Sequence, residues 1–289
     1  TAHGGNILSS VTGGGYDRLS GTSMACPNLA GVVVLLRQYV VENFPEIAND
    51  NNKVNAMVNG LLMSTADIAL GKNGLPYSVR KQGAGLGSLS NALNTPAYIT
   101  TLDKNGNLMD KAKLELGDDP SRTGVYEMTF TINNFGDATV SYDLGAYVMT
   151  EGVSDTKTGA GKTTVTEESF ILDGATVTVT SKDSKGGHLQ GNTVTVYGGD
   201  SLDVTVTVTL SDADKAYLNK SFENGMYVEG YITLNATAGT EYDLNVPYLA
   251  FYGDWTVAPL FDLTYYDTNA DELDDGIDFE DKTMADAYA

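Results

Sequence analysis

The residues of this 289-residue sequence best suited to chemistry form one short string: Gly21-Thr22-Ser23-Met24-Ala25-Cys26-Pro27-Asn28-Leu29-Ala30-Gly31. Thr22 or Ser23 can cap a helix that runs on from here. A hydroxyl at a helix start lies beside backbone N–H groups with no intrahelical acceptor, at the positive end of the helix dipole. An oxyanion formed there meets donors already in place, which is what acyl transfer asks of the site holding its tetrahedral intermediate. Serine is a weak nucleophile alone, so such a site also needs a base, usually histidine, oriented by an acid. The plainer reading is an ordinary N-cap. Against it, the six fixed positions of Gly-Thr-Ser-Met-Ala-x-Pro arise by chance in a chain this long on the order of once in 10^5. Pro27 also falls in the first helical turns, where proline ordinarily costs stability. The string lacks the second glycine of a G-x-S-x-G elbow, which disfavours that other class of serine hydrolase.

The elements that must hold this string are mixed. Gly5–Val11 reads as a short strand, Thr12–Gly15 as a turn and Tyr16–Leu19 as a second strand. A helix is predicted from Ser23 to about Asn43, and its centre, Gly31–Leu36, is apolar on every face. Such a helix must be surrounded by protein. The rest of residues 1–100 is too small to wrap it, so partner elements outside this sequence are expected. A second helix fits Asn52–Ser64, with Val54, Met57, Val58, Leu61 and Leu62 at helical spacing, and a third fits Leu89–Leu93 after the glycine turn Gly83–Gly87. Beyond residue 100 the period changes to two. Tyr126, Met128, Phe130 and Ile132 alternate with polar residues, as do Leu202, Val204, Val206, Val208 and Leu210. Further strands are predicted at Val140–Met149, Ala175–Thr180, Thr193–Tyr197, Met226–Leu234 and Val246–Tyr252, which together imply an antiparallel β-sandwich over 101–255.

Composition narrows the function. A net charge of −21, from 38 acidic against 17 basic residues, repels nucleic-acid phosphates and anionic membranes. The single cysteine, Cys26, rules out an internal disulfide and a cysteine zinc site. As a lone thiol on a buried helix it reads as inert packing. No membrane span and no signal peptide are read, and the start at Thr1 suggests a piece of a longer product.

The string at Ser23 resembles the active-site serine signature of the subtilisin-like proteases, G-T-S-M-A-x-P-H-(V/L)-A-G, at every fixed position but one. Ala2-His3-Gly4-Gly5-Asn6-Ile7 is similar to the A-P-G-x-x-I strand that precedes it in that family. The resemblance implies that Ser23 is the nucleophile, that its N–H is one oxyanion donor with Thr22 beside the hole, and that Met24 lies against the active site. It implies an α/β fold, an incomplete subtilase core of parallel sheet with helices over 1–100. Asn28 stands where the family has histidine, and His3 where it has proline. In the family the catalytic Asp and His and the oxyanion Asn lie far upstream of the serine, so the missing N-terminal part of the peptidase domain becomes a required partner. Neither His3, without an H-G-T-H context, nor His188, in a Lys185-Gly186-Gly187 turn, reads as the base. The isolated chain is expected to be inactive.

In the second half, Phe222-Glu223-Asn224-Gly225, Tyr227-Val228-Glu229-Gly230, Val246-Pro247-Tyr248 and Phe251-Tyr252-Gly253-Asp254-Trp255 are similar to the fibronectin type III-like domain of cell-envelope subtilases such as the lactocepins and the streptococcal complement-factor peptidases. That resemblance implies a serine endopeptidase acting on protein or peptide substrates, secreted or wall-associated in Gram-positive bacteria. It implies no cofactor for the chemistry, and structural calcium in the parent with no ligand assigned here. The alternative is a non-catalytic surface adhesion or scaffold protein derived from a subtilase. Residues 256–289 read as an acidic tail or the start of a further domain. There Asp267, Asn269 and Asp271 alternate as in a calcium loop, but Glu272 occupies the place of the required glycine. The sequons at Asn219 and Asn235 mean little in a bacterial protein.

Overall fold

The two glycines at the first turn set the opening element. In the computed structural model, which describes residues 1–157, 163–182, 185–237 and 239–257, Gly13 and Gly14 both take positive φ (92° and 81°). They close an antiparallel hairpin of β1 (Ile7–Val11) and β2 (Gly15–Leu19), with Ile7 opposite Leu19. The long helix α1 follows (Thr22–Asn43), then α2 (Asn51–Ser64), whose cap Asp50 accepts from the Asn52 and Lys53 N–H groups. Leu36 and Val40 of α1 pack against Val54, Met57, Val58, Leu61 and Leu62 of α2 and Ala92. The short helices α3 (Val79–Gln82) and α4 (Leu89–Asn94) are each capped by a serine, Ser78 and Ser88.

The rest is two packed sheets. One has the order β3–β5–β11–β8, from β3 (Ala97–Thr100), β5 (Val125–Asn134), β8 (Thr176–Ser181) and β11 (Ser201–Thr209). The other runs β4–β13–β12–β6–β10–β9, with β7 paired to β6. Its strands are β4 (Leu114–Asp118), β6 (Val140–Lys157), β7 (Thr163–Ile171), β9 (Gly187–Gln190), β10 (Thr193–Val196), β12 (Met226–Ala236) and β13 (Leu244–Tyr252). Phe130, Ile132, Val204, Val206, Ile232, Leu234 and Val246 meet between the sheets. The alternation seen in the sequence is therefore the inner face of each strand. A helix, α5 (Asp212–Ser221), crosses between β11 and β12.

Three expectations change. Among the described residues, the N-terminal segment contributes an antiparallel hairpin and helices and no parallel sheet; the parallel pairing is β4 beside β13, inside the sandwich. The reason is connectivity: parallel neighbours need a long crossover, and β1 and β2 are joined by a three-residue turn. The sandwich is accordingly mixed at that edge. Second, α3 and α5 and the strands β3, β4, β7 and β9 were not predicted. For α5 a signal existed, since Ser211 and Asp214 form a capping box. The acidic stretch with Asp267 lies outside the described residues.

Third, α1 is by length and composition able to cross a membrane, although no span is read from the sequence. Its two buried residues, Leu36 and Val40, pack on α2, while Val34 and Leu35 remain 64% and 51% exposed.

Candidate active site

The start of α1 is built by Gly21. Its backbone, φ 153° and ψ 172°, falls in a region essentially reserved for glycine. Gly21 is the N-cap, and no side chain caps this helix. The hydroxyls of Thr22 and Ser23 are thus not spent on capping, contrary to the plainer reading of the string. The Gly21 carbonyl accepts from Met24 N at 3.1 Å and Ala25 N at 3.2 Å. The N–H groups of Thr22 and Ser23 have no acceptor among the described residues. Ser23 is exposed, and its hydroxyl makes no hydrogen bond there either. Pro27 sits inside the helix. Having no N–H, it leaves the Ser23 carbonyl without its usual helical donor. Ser23 therefore stands at a helix opening with unclaimed donors and a free hydroxyl. Met24 is partly buried beside it.

The segment before the hairpin fixes this opening from one side. Gly21 N donates to Gly4 O at 2.9 Å, and Asn6 N to Ser20 Oγ at 2.8 Å. Asn28 Nδ2 donates to His3 O at 3.1 Å. The asparagine that replaces the signature histidine thus ties the segment before β1 to the helix. Gly4 leaves no room for a side chain: a Cβ there would lie 2.6 Å from Gly21 O and 2.8 Å from Ala25 Cβ. Gly4→Ala is expected to push residues 2–6 off the helix start and to cost about 1–3 kcal/mol, as overpacking does. Urea unfolding of the variant beside wild type would measure it.

Neither histidine is joined to Ser23 by a hydrogen bond among the described residues. His3 is exposed and is held by its backbone. His188 lies in β9, its Nδ1 3.2 Å from Tyr197 Oη. Cys26 is exposed, not packed as expected, because only one narrow stripe of α1 meets α2.

Residues 1–85 match the model of the subtilase family, and residues 115–249 that of the Fn3-like domain. Over 279 residues the chain is 30% identical to a PII-type proteinase of Lacticaseibacillus paracasei, covering 91% of this chain and 13% of that protein. A PI-type proteinase of Lactococcus lactis subsp. cremoris matches with the same identity and coverage. A C5a peptidase of Streptococcus pyogenes serotype M1 is 27% identical over 293 residues, 96% of this chain and 22% of that peptidase. The chain thus spans less than a quarter of the length of these relatives. The glycine-opened helix carrying Ser23 lies within the part of the chain that matches the subtilase family, and most of the two-sheet unit lies within the part that matches the Fn3-like domain.

Proposed function

We propose that this chain supplies the nucleophile-bearing part of a subtilisin-like serine endopeptidase. Ser23 attacks the scissile carbonyl and forms an acyl-enzyme, its own N–H donating to the oxyanion. Thr22 flanks the hole and Met24 lines the site. A histidine, an aspartate and an oxyanion asparagine outside these 289 residues complete the centre, so the chain alone is inactive. The chemistry draws on no cofactor, and the substrates are proteins or peptides. The protease is secreted or wall-associated, of the Gram-positive type. Residues 1–100 belong to the peptidase domain, 101–255 to the Fn3-like sandwich, and 256–289 to a tail or a further domain.

The observation that carries this reading is the exposed Ser23 hydroxyl beside an unclaimed N–H at a glycine-opened helix start. It is supported by relatives that are themselves named proteinases and peptidases. A fluorophosphonate probe applied to the parent protein tests it. Wild type should be labelled and Ser23→Ala should not. Equal labelling of the two, or none of either, would leave the adhesion or scaffold reading in its place.

A further inference from the structure

Two glutamates are buried on the outer face of the sandwich, and one arginine from the N-terminal segment serves both. Glu229 on β12 is 2% exposed and Glu151 on β6 is 7% exposed. Along β12, Val228, Ile232 and Leu234 point into the sandwich core. Glu229 and Tyr231 therefore point the other way, where an isolated sandwich would meet water. Residues 65–87 cover them instead. Arg80 Nη2 donates to Glu229 Oε1 at 2.9 Å and also to Glu151 Oε1. Arg80 Nε reaches Glu229 Oε1 at 3.2 Å, and Ser78 Oγ donates to the same oxygen at 2.7 Å. The Arg80 backbone N–H donates to Glu229 Oε2 at 3.3 Å. The guanidinium lies 4.6 Å from the centre of the Tyr227 ring. Burial alone would lower the Arg80 pKa, but the hydrogen bonds and charges of Glu229 and Glu151 outweigh it and hold the pKa above its ordinary value. Tyr231 Oη donates to Gly83 O at 2.8 Å, Asn245 Nδ2 to Ala66 O at 2.8 Å and Ser169 Oγ to Pro76 O at 2.6 Å.

The covering segment also meets the N-terminal residues that flank the serine helix. Asp67 and Leu86 exchange backbone hydrogen bonds of 2.9 and 2.8 Å, which closes residues 67–86 into one loop. Gly87 N then donates to Thr1 O at 2.9 Å. Gly87 also sits under α1, where a Cβ would lie 3.2 Å from Leu29 Cδ1. Three residues after Thr1, Gly4 O accepts the Gly21 N–H that opens the helix. Two backbone hydrogen bonds, joined by the covalent run Thr1–Gly4, thus link the end of the Arg80 loop to the Ser23 helix opening. Two buried carboxylates are costly unless paired, so a docking that took Arg80 away from them would be disfavoured.

We propose that Arg80, Glu151 and Glu229 are positioning residues, a charged clamp that fixes the loop 67–87 on the sandwich and, through Thr1–Gly4, sets where the Gly21–Ser23 helix opening stands. The clamp is a statement about geometry; its meaning for catalysis rests on Ser23 being the nucleophile.

Hydrogen exchange on the 289-residue chain tests the geometry without any activity. Glu229→Gln keeps the size of the side chain but removes one charge and one of the two acceptor oxygens that the Ser78 and Arg80 donors use. It should speed exchange of the Gly21 and Gly87 amides about five-fold or more, with the β11 amides unchanged. Arg80→Met should do so more strongly, and Arg80→Lys should restore part of the protection. Unchanged Gly21 and Gly87 exchange in both Glu229→Gln and Arg80→Met would overturn the clamp. In the parent protease the same variants should slow fluorophosphonate labelling of Ser23 about ten-fold at saturating probe with little change in probe affinity. Absence of labelling in wild type would count against the nucleophile, and the exchange data would still decide the clamp.

Discussion

With Ser23 as the nucleophile proposed above, Ser23→Ala in the parent protein should lower the rate of peptide hydrolysis by on the order of 10^6-fold, a magnitude that comes from subtilisin itself and not from the geometry of this chain. The expectation follows from what the alanine removes and what it leaves. The acyl-enzyme route is lost, because the methyl group cannot attack. The Ser23 backbone N–H remains, and the Gly21 backbone that opens the helix is untouched. A residual rate of about 10^3–10^4 over the uncatalysed reaction should therefore persist through oxyanion stabilisation and binding. KM should change little, since the exposed hydroxyl holds no neighbour in place. Steady-state kinetics on a peptide substrate would separate the two parameters. A fall in kcat of less than about ten-fold would remove Ser23 from the chemistry.

Arg80→Met is the variant expected to cost the most stability. It leaves Glu151 and Glu229, both nearly inaccessible, with no shared cation. Breaking a buried ion pair by removing one partner typically costs about 3–5 kcal/mol, and the partial exposure of Arg80 places it near the lower end. The methionine recovers some packing on Tyr227 but no charge. Adding Glu151→Gln and Glu229→Gln to Arg80→Met should recover part of the loss, because neutral amides no longer repel each other. Urea midpoints of wild type, the single variant and the triple variant would show this. An Arg80→Met variant within about 1 kcal/mol of wild type would mean that solvent, not the guanidinium, balances the two carboxylates.

Much of the fold was legible because the signals were local. The period-two runs at 126–132 and 202–210 became β5 and β11, their apolar members facing inward. The helices read at 23–43, from an apolar centre, and at 52–64, from apolar spacing, became α1 and α2. Where signals were weak, elements were missed. The β7 sequence TTVTEESFI has no apolar alternation, and α3 is only four residues long. The parallel pair β4–β13 joins residues more than 130 positions apart, so nothing near either strand announces it.

The site divides in the same way. By itself the sequence determined the serine string and the family it resembles, because these are short-range matters of residue type; that Gly21, and not Thr22 or Ser23, caps the helix came from the fold. Only the tertiary structure decided that Asn28 anchors His3, that Cys26 faces solvent and that Arg80 stands between two glutamates from different strands. Read along the chain, Glu229 is one acid in a strand and Arg80 one base in a loop. A buried charge is tolerable only where its counter-charge arrives in space, and that arrival depends on how a chain separation of 149 positions folds.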